Sequence, residues 1–231
     1  MKALCVTGFV DKPFAARHLS QTDCRGLGDG LKAALGERLV AFDQGWTLPQ
    51  CWAYRLLEQN PGLLPSCANP PADRFATPAD MVRSNIVLLQ RYLWMATAAA
   101  LRPDVDVVAW VEYTVLKQRG VTPEVLAHFA DALERTPCDA VTLPGCWQKG
   151  VINDAEAHWR FVGSCWVCPT RLANDVYRAV RDVVTLRTEM TGRLSWDMNS
   201  MAYVELLDVL PMRWYPANHD ETQFTHYGRP A

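Results

Sequence analysis

The sequence predicts an α/β domain built on a mixed, mostly parallel central sheet flanked by helices. Two observations lead there. Short runs rich in β-branched and aromatic residues, bounded by Gly, Asp or Pro, alternate with longer runs of helical period, the order that βαβ units produce. The composition agrees: 231 residues, 49% hydrophobic and 21% charged, suit a globular chain with a sizeable core.

The elements follow in order. ALCVTGFV (3–10) reads as a buried first strand ending near Gly8. GLGDGLKAALGE (26–37) is a Gly-rich entry to a short helical stretch. Its glycines do not directly follow the first strand, so the dinucleotide fingerprint of strand, G-x-G-x-x-G and helix is not met. RLVAFDQGW (38–46) reads as a second short strand closing on Asp43 and Gly45. NPGLLPSCANPPADRFATP (60–78) is an irregular connection, of a length that is often functional or mobile.

Thr77 or Asp80 then offers an N-cap to PADMVRSNIVLLQRYLWMATAAALR, where Met81, Ile86, Leu89, Leu93 and Ala96 keep helical spacing until Pro103. VDVVAWVEY follows as the central strand, delivering Glu112 and Tyr113 at its end. TPEVLAHFADALER (122–135) is a helix capped by Thr122 with Pro123 in its first turn. CDAVTLPG (138–145) is a strand, and HWRFVGSCWVCPT (158–170) is strand-rich and closed by Pro169. TRLANDVYRAVRDVVTLRTEM (170–190) is a helix arraying Arg171, Arg178, Arg181 and Arg187. TGRLSWDMNSMAYVELLD (191–208) gives a loop and a helix opening at Ser195 or Asp197, and PMRWYPANHDETQFTHYG a strand and a polar tail. No internal repeat is seen.

A net charge of −2 announces no nucleic-acid or membrane binder by bulk electrostatics. No run approaches the ~20 apolar residues that cross a bilayer, and MKALCVTGFVDKP reads as a strand, not a signal peptide. Eight cysteines, most isolated in apolar runs, point to reduced, buried thiols and a cytoplasmic setting. Cys165 and Cys168 form a C-x-x-C without a second pair, which reads as two small residues in a buried strand before it reads as a zinc or redox site.

In parallel sheets, ligands sit at the carboxyl ends of the strands. That rule gathers Thr7, Gly8, Asp43, Glu112 and Tyr113 toward one cleft.

The order of features resembles the GT-A-fold nucleotide-sugar glycosyltransferases, most nearly the small bacterial HtrL/WlaTC-like group. A first strand ends in a small polar loop; an Arg-bearing helix precedes AWVE; F-x-G-x-x-W-x-x-P (161–169) leads into a helix; Trp196-Asp197 opens another; His219-Asp220 lies near the end. The likeness spans roughly residues 3 to 227. It implies one domain over 1–231, with a nucleotide-binding part at about 1–120 and an acceptor-side part at about 121–231. It implies that Thr7, Gly8 and Phe9 lie beside the nucleobase, Asp43 near the base or ribose, and Arg83 against the nucleotide or its sugar. Tyr113 belongs to the same binding set. Glu112 stands at the last acid of the family's D-x-D and His219 at its C-terminal ligand, so both would hold Mn²⁺ or Mg²⁺ at the diphosphate of a donor such as a UDP-sugar. Trp110 holds the place of the first acid, a departure that leaves metal-independent chemistry open, with Arg or Lys replacing the ion.

Asp197 would be the acid on the acceptor side, with Glu112 as a second catalytic group. Trp196, Trp166, Arg178 and Arg181 would line that side. The acceptor implied is a glycan or a hydroxymethylated base in DNA. Each residue also has a plain reading: Asp197 as a helix-start cap, Arg83 as solvated, the arginines as an exposed face, and the tryptophans as core. His219, Asp220 and His226 read plainly as turn residues. A nucleotidyltransferase is an alternative, disfavoured by a loop after strand one with only Lys12. A catalytically degenerate sugar-binding protein is another.

Overall fold

The computed structural model describes residues 1–10, 20–43, 45–66 and 77–229. Lys12, Cys67 and most of the Pro-rich connection lie outside the described residues. The chain runs β1 (Ala3–Gly8), α1 (Gln21–Leu35), β2 (Leu39–Phe42), α2 (Tyr54–Gln59), β3 (Leu64–Pro65), α3 (Pro78–Leu101), β4 (Val107–Val111), α4 (Pro123–Arg135), β5 (Val141–Gly145), β6 (Cys165–Pro169), α5 (Ala173–Thr191), β7 (Arg193–Leu194), α6 (Asp197–Leu206), β8 (Met212–Pro216) and α7 (Thr222–Thr225).

Six strands make the main sheet in the order β2-β1-β4-β6-β5-β8, and β3 pairs β7 in a small second sheet. Only β6 runs against its neighbours β4 and β5; the other pairings are parallel. The expected mixed, mostly parallel α/β fold is thus the one observed.

Alternation along the buried strands splits the core in two. Leu4, Val6, Val108, Trp110, Trp166 and Cys168 face the layer of α3, α5 and α6. Cys5, Val107, Ala109, Val111, Cys165 and Val167 face α1, α4 and the C-terminal aromatics. Cys165 and Cys168 therefore point to opposite faces and share no ligand. Burial pushes both thiols well up, so the C-x-x-C is two small core residues.

The helix starts obey local chemistry. The Ser20, Thr77 and Thr122 hydroxyls accept from the amides of Asp23, Asp80 and Val125, each cap contributing about 0.5–2 kcal/mol. Helix α1 begins at Gln21, earlier than expected, and runs through Gly26, Gly28 and Gly30 although each glycine costs about 1 kcal/mol in a helix. Gly28 has a reason: a Cβ there would lie 2.0 Å from Tyr113 Cζ. In 158–170 only Cys165–Pro169 is a strand.

One feature of the topology positions the site. The chain leaves β1 through α1 to β2 on one side, then returns through α3 to β4 on the other, with α1 and α3 packed on opposite faces. The carboxyl ends of β1 and β4 flank the point where the order reverses, the crevice in which open α/β sheets take their ligands.

Candidate active site

The β1–β2 side of the crevice is lined by Phe42 and Trp46, backed by the buried rings of Trp94 and Trp110. Phe42, Trp94 and Trp110 stack in sequence, with centroids 6.1 Å and 6.0 Å apart and planes 7° and 14° from parallel. Trp46 stands edge-on to Phe42 and Trp94. Gly8 is where β1 passes Trp94: a Cβ would lie 2.2 Å from the indole. Phe9 stacks on Tyr113 at 4.8 Å. Thr7 is wholly buried, its hydroxyl without a partner among the described residues.

Asp43, buried at the end of β2, takes the Lys32 ammonium at 2.5 Å and accepts from the Tyr113 hydroxyl at 3.1 Å. Burial and the Asp43 charge push the Tyr113 phenol up to about 12, so it stays a donor at neutral pH. Lys32, Ala41, Phe42, Asp43 and Trp46 line an open cleft of about 510 Å³. Thr7, Gly8, Asp43 and Tyr113 do come together at the strand ends, and Phe9 joins them through its stacking on Tyr113.

At the end of β4 a second group forms. The Glu112 amide donates to Ser164 O at 2.8 Å, and its side chain is about one-third exposed. Glu112 Oε1 accepts from Thr114 Oγ1 at 3.2 Å and lies 3.9 Å from Lys117 Nζ. His219 arrives from the C-terminal segment, its ring edge-on to Trp159 at 4.7 Å. Burial of the ring lowers its pKa, with Glu112 and Asp220 pulling the other way; the imidazole is neutral at pH 7.

Gln223 pins that segment. Its carbonyl oxygen accepts from Ser164 Oγ at 2.7 Å, its amide reaches Gln118 Oε1, and its backbone oxygen accepts from Tyr215. The bridge Arg119–Asp220 adds a backbone seam.

Beneath Glu112 lies Arg91, 4% exposed. Its guanidinium donates to the Leu88 and Gly163 carbonyls and to Asp197 Oδ2, and it lies over the Trp110 ring. Burial lowers its pKa, opposed in part by the charge of Glu112.

Several expected site residues fall elsewhere. Asp197 is buried, 1% exposed, and its carboxylate is committed to Arg91; that leaves no face for an acceptor hydroxyl and gives it a positioning task. Arg83 is exposed and paired with Asp80. It sits eight residues before Arg91, about 12 Å further along the helix axis. Trp166 is fully buried against Tyr92, core and not acceptor wall. Trp196 is half-buried on the α3–α5 core, its indole N–H unpartnered. Arg178 and Arg181 are exposed on the first half of α5. That helix starts beside Asp106, at the edge opposite Glu112, and Arg181 pairs with Asp182.

Arg91, Lys32, Lys117 and Gln223 were not anticipated. For Arg91 a signal existed: a charge within the apolar run VLLQRYLW. Lys117 and Gln223 are ordinary surface types in sequence, and only the fold brings them to the crevice.

Among the described residues, no three His, Cys, Asp or Glu side chains converge as a metal site. Trp110 fills the place of a first acid from within the aromatic stack, and the remaining carboxylate already faces an ammonium. Hard divalent ions favour several oxygen ligands. One such carboxylate and one imidazole are too few to hold Mn²⁺ or Mg²⁺ without oxygens from a bound diphosphate.

No family model and no curated protein matches the sequence. Among solved structures, the fold is similar to that of a glycosyltransferase involved in the glycosylation of the major capsid of PBCV-1. That likeness has TM-score 0.50 and 8% identity, covering 94% of this chain and 83% of that one. A 4-diphosphocytidyl-2C-methyl-D-erythritol synthase from Anaerococcus prevotii aligns over 97% of this chain and 90% of its own, at 9% identity and TM-score 0.44, a likeness too low to argue from. No helix among the described residues is long and apolar enough to cross a membrane. The first of these likenesses supports the GT-A-like α/β fold, and not the narrower kinship with the HtrL/WlaTC-like group.

Proposed function

We propose that this chain is a glycosyltransferase, moving a sugar from a nucleoside-diphosphate donor to a hydroxyl acceptor. The observation that carries the reading is the switch-point crevice, with an aromatic and Asp43–Lys32 wall on one side and Glu112, Lys117 and His219 on the other. The first wall suits a flat base and a ribose. The second is a polar rim, suited to a diphosphate and to sugar hydroxyls that donate to a carboxylate. The fold shared with a glycosyltransferase supports the same reading.

The acceptor we propose is a glycan hydroxyl. A duplex DNA acceptor would call on Arg178 and Arg181, and Arg181 is already paired with Asp182 on an exposed helix face. In the transfer, the acceptor oxygen bonds to the anomeric carbon as the bond to the diphosphate breaks, and the hydroxyl proton passes to the Glu112 carboxylate. The electron pair stays on the departing phosphate oxygen.

The test is donor hydrolysis, which proceeds with water when the acceptor is missing. The chain is incubated with UDP-, GDP-, CDP- and ADP-sugars, each with EDTA and with Mn²⁺. Release of free sugar and nucleoside diphosphate from one donor is expected. Pyrophosphate release from a nucleoside triphosphate and sugar phosphate would instead make the protein a nucleotidyltransferase. No turnover and no nucleotide binding under any condition would leave a degenerate binding protein.

A further inference from the structure

A departing diphosphate needs positive charge beside it, and the described acids are not grouped to hold a metal there. The end of β4 offers cations instead. Lys117 Nζ lies 3.9 Å from Glu112 Oε1, with its side chain 44% exposed. The Arg91 guanidinium lies close enough beneath to sense the Glu112 charge, but Asp197 and two carbonyls already occupy it.

The lysine's backbone is fixed and its tip is exposed and loosely paired. Val115–Lys117 forms a 3₁₀ turn on the buried Val115; the Lys117 amide donates to Thr114 O at 3.1 Å, and the Gln118 side chain is held by Gln223. An ion pair this exposed contributes only about 0–1 kcal/mol, so giving it up is easy. An ammonium is a compact point charge on a flexible stem, well suited to follow phosphate oxygens.

We propose that Lys117 takes the place of a divalent ion: its ammonium turns from Glu112 to the donor diphosphate, and donor binding needs no metal. The proposal rests on the transferase reading of the crevice. The ammonium gives up no proton in this step. As the glycosidic bond breaks, the charge gathering on the diphosphate oxygen is met by an ammonium that stays protonated, and Glu112 is released toward the sugar.

Calorimetry with UDP, GDP, CDP and ADP, in EDTA and in Mn²⁺, tests it. One diphosphate is expected to bind in EDTA, with Mn²⁺ changing the affinity by less than about threefold. Lys117→Met should weaken that binding about 10- to 100-fold while changing the matching nucleoside by less than about threefold. Lys117 is exposed, so the variant should keep the parent's thermal midpoint. Glu112→Gln should tighten the diphosphate by freeing the ammonium, where a metal ligand would lose it. Binding that requires Mn²⁺, that ignores Lys117→Met, or that fails in Glu112→Gln overturns the proposal while leaving the transferase reading in place. If no diphosphate binds in either buffer, the transferase reading falls and the inference with it.

Discussion

A guanidinium inside a helix-packed core must be answered by acceptors, and Arg91 is answered by two carbonyls and by Asp197. The pair ties α3 to the start of α6 and to the loop before β6. Removing one partner leaves the other buried and unpaired, which typically costs about 3–5 kcal/mol. Asp197→Ala should lose about that much in urea denaturation, and Arg91→Met a similar amount. The double variant Arg91→Met/Asp197→Leu should lose well under the sum of the single losses, by a coupling of about 1–3 kcal/mol. An additive double variant would show that the pair does not hold the site together. In sequence, Asp197 is an ordinary acid at a helix start and its partner lies 106 positions away. Only the fold distinguishes a cap from half of a buried ion pair.

Among the elements, those with strong local rules were the legible ones. Helix α3 could be read because Thr77, Pro78 and its apolar spacing agree, and α4 because Thr122, Pro123 and Glu124 do. Helix α1 was misread at its start because three glycines argue against a helix, and the reason for Gly28 is a ring from another element. The four-residue α7 carries too short a pattern to read, yet it sets His219 beside Glu112. Its anchor is the wholly buried Gln223, bonded to Ser164 and Gln118. Gln223→Ala should leave those partners unanswered, at a local cost of about 1–3 kcal/mol. Amide exchange over 218–227 should quicken severalfold while α3 and β4 keep their protection. Unchanged exchange in that segment would remove Gln223 from its role.

Over the whole molecule, alternation of strands and helices was enough for the fold class, because both periods are local properties of the chain. Strand order was not legible, and neither was the reversal of β6, which depends on partners far apart in sequence. That reversal seams the two halves. The register Val107↔Pro169 to Val111↔Cys165 joins the nucleotide-side strands to the strands after residue 140, and Tyr92 on α3 meets Trp166 on β6. A split near residue 120 would expose both core clusters. Urea unfolding is therefore expected as one transition, with tryptophan fluorescence and far-ultraviolet dichroism sharing a midpoint. Two separated midpoints would mean that the halves fold apart.

The antiparallel course of β6 has one more consequence. Because Cys165 and not Pro169 lies at the Glu112 end, the connection 146–164 starts and ends on the Glu112 side of the sheet, placing Trp159 against His219 and Gly163 against Arg91. Insertions or exchanges at its exposed positions 147–151 would leave the strands carrying Thr7, Asp43 and Glu112 as they are. On the transferase reading, acceptor preference can then be altered at the surface of that connection, a changeable doorway fitted to a constant room.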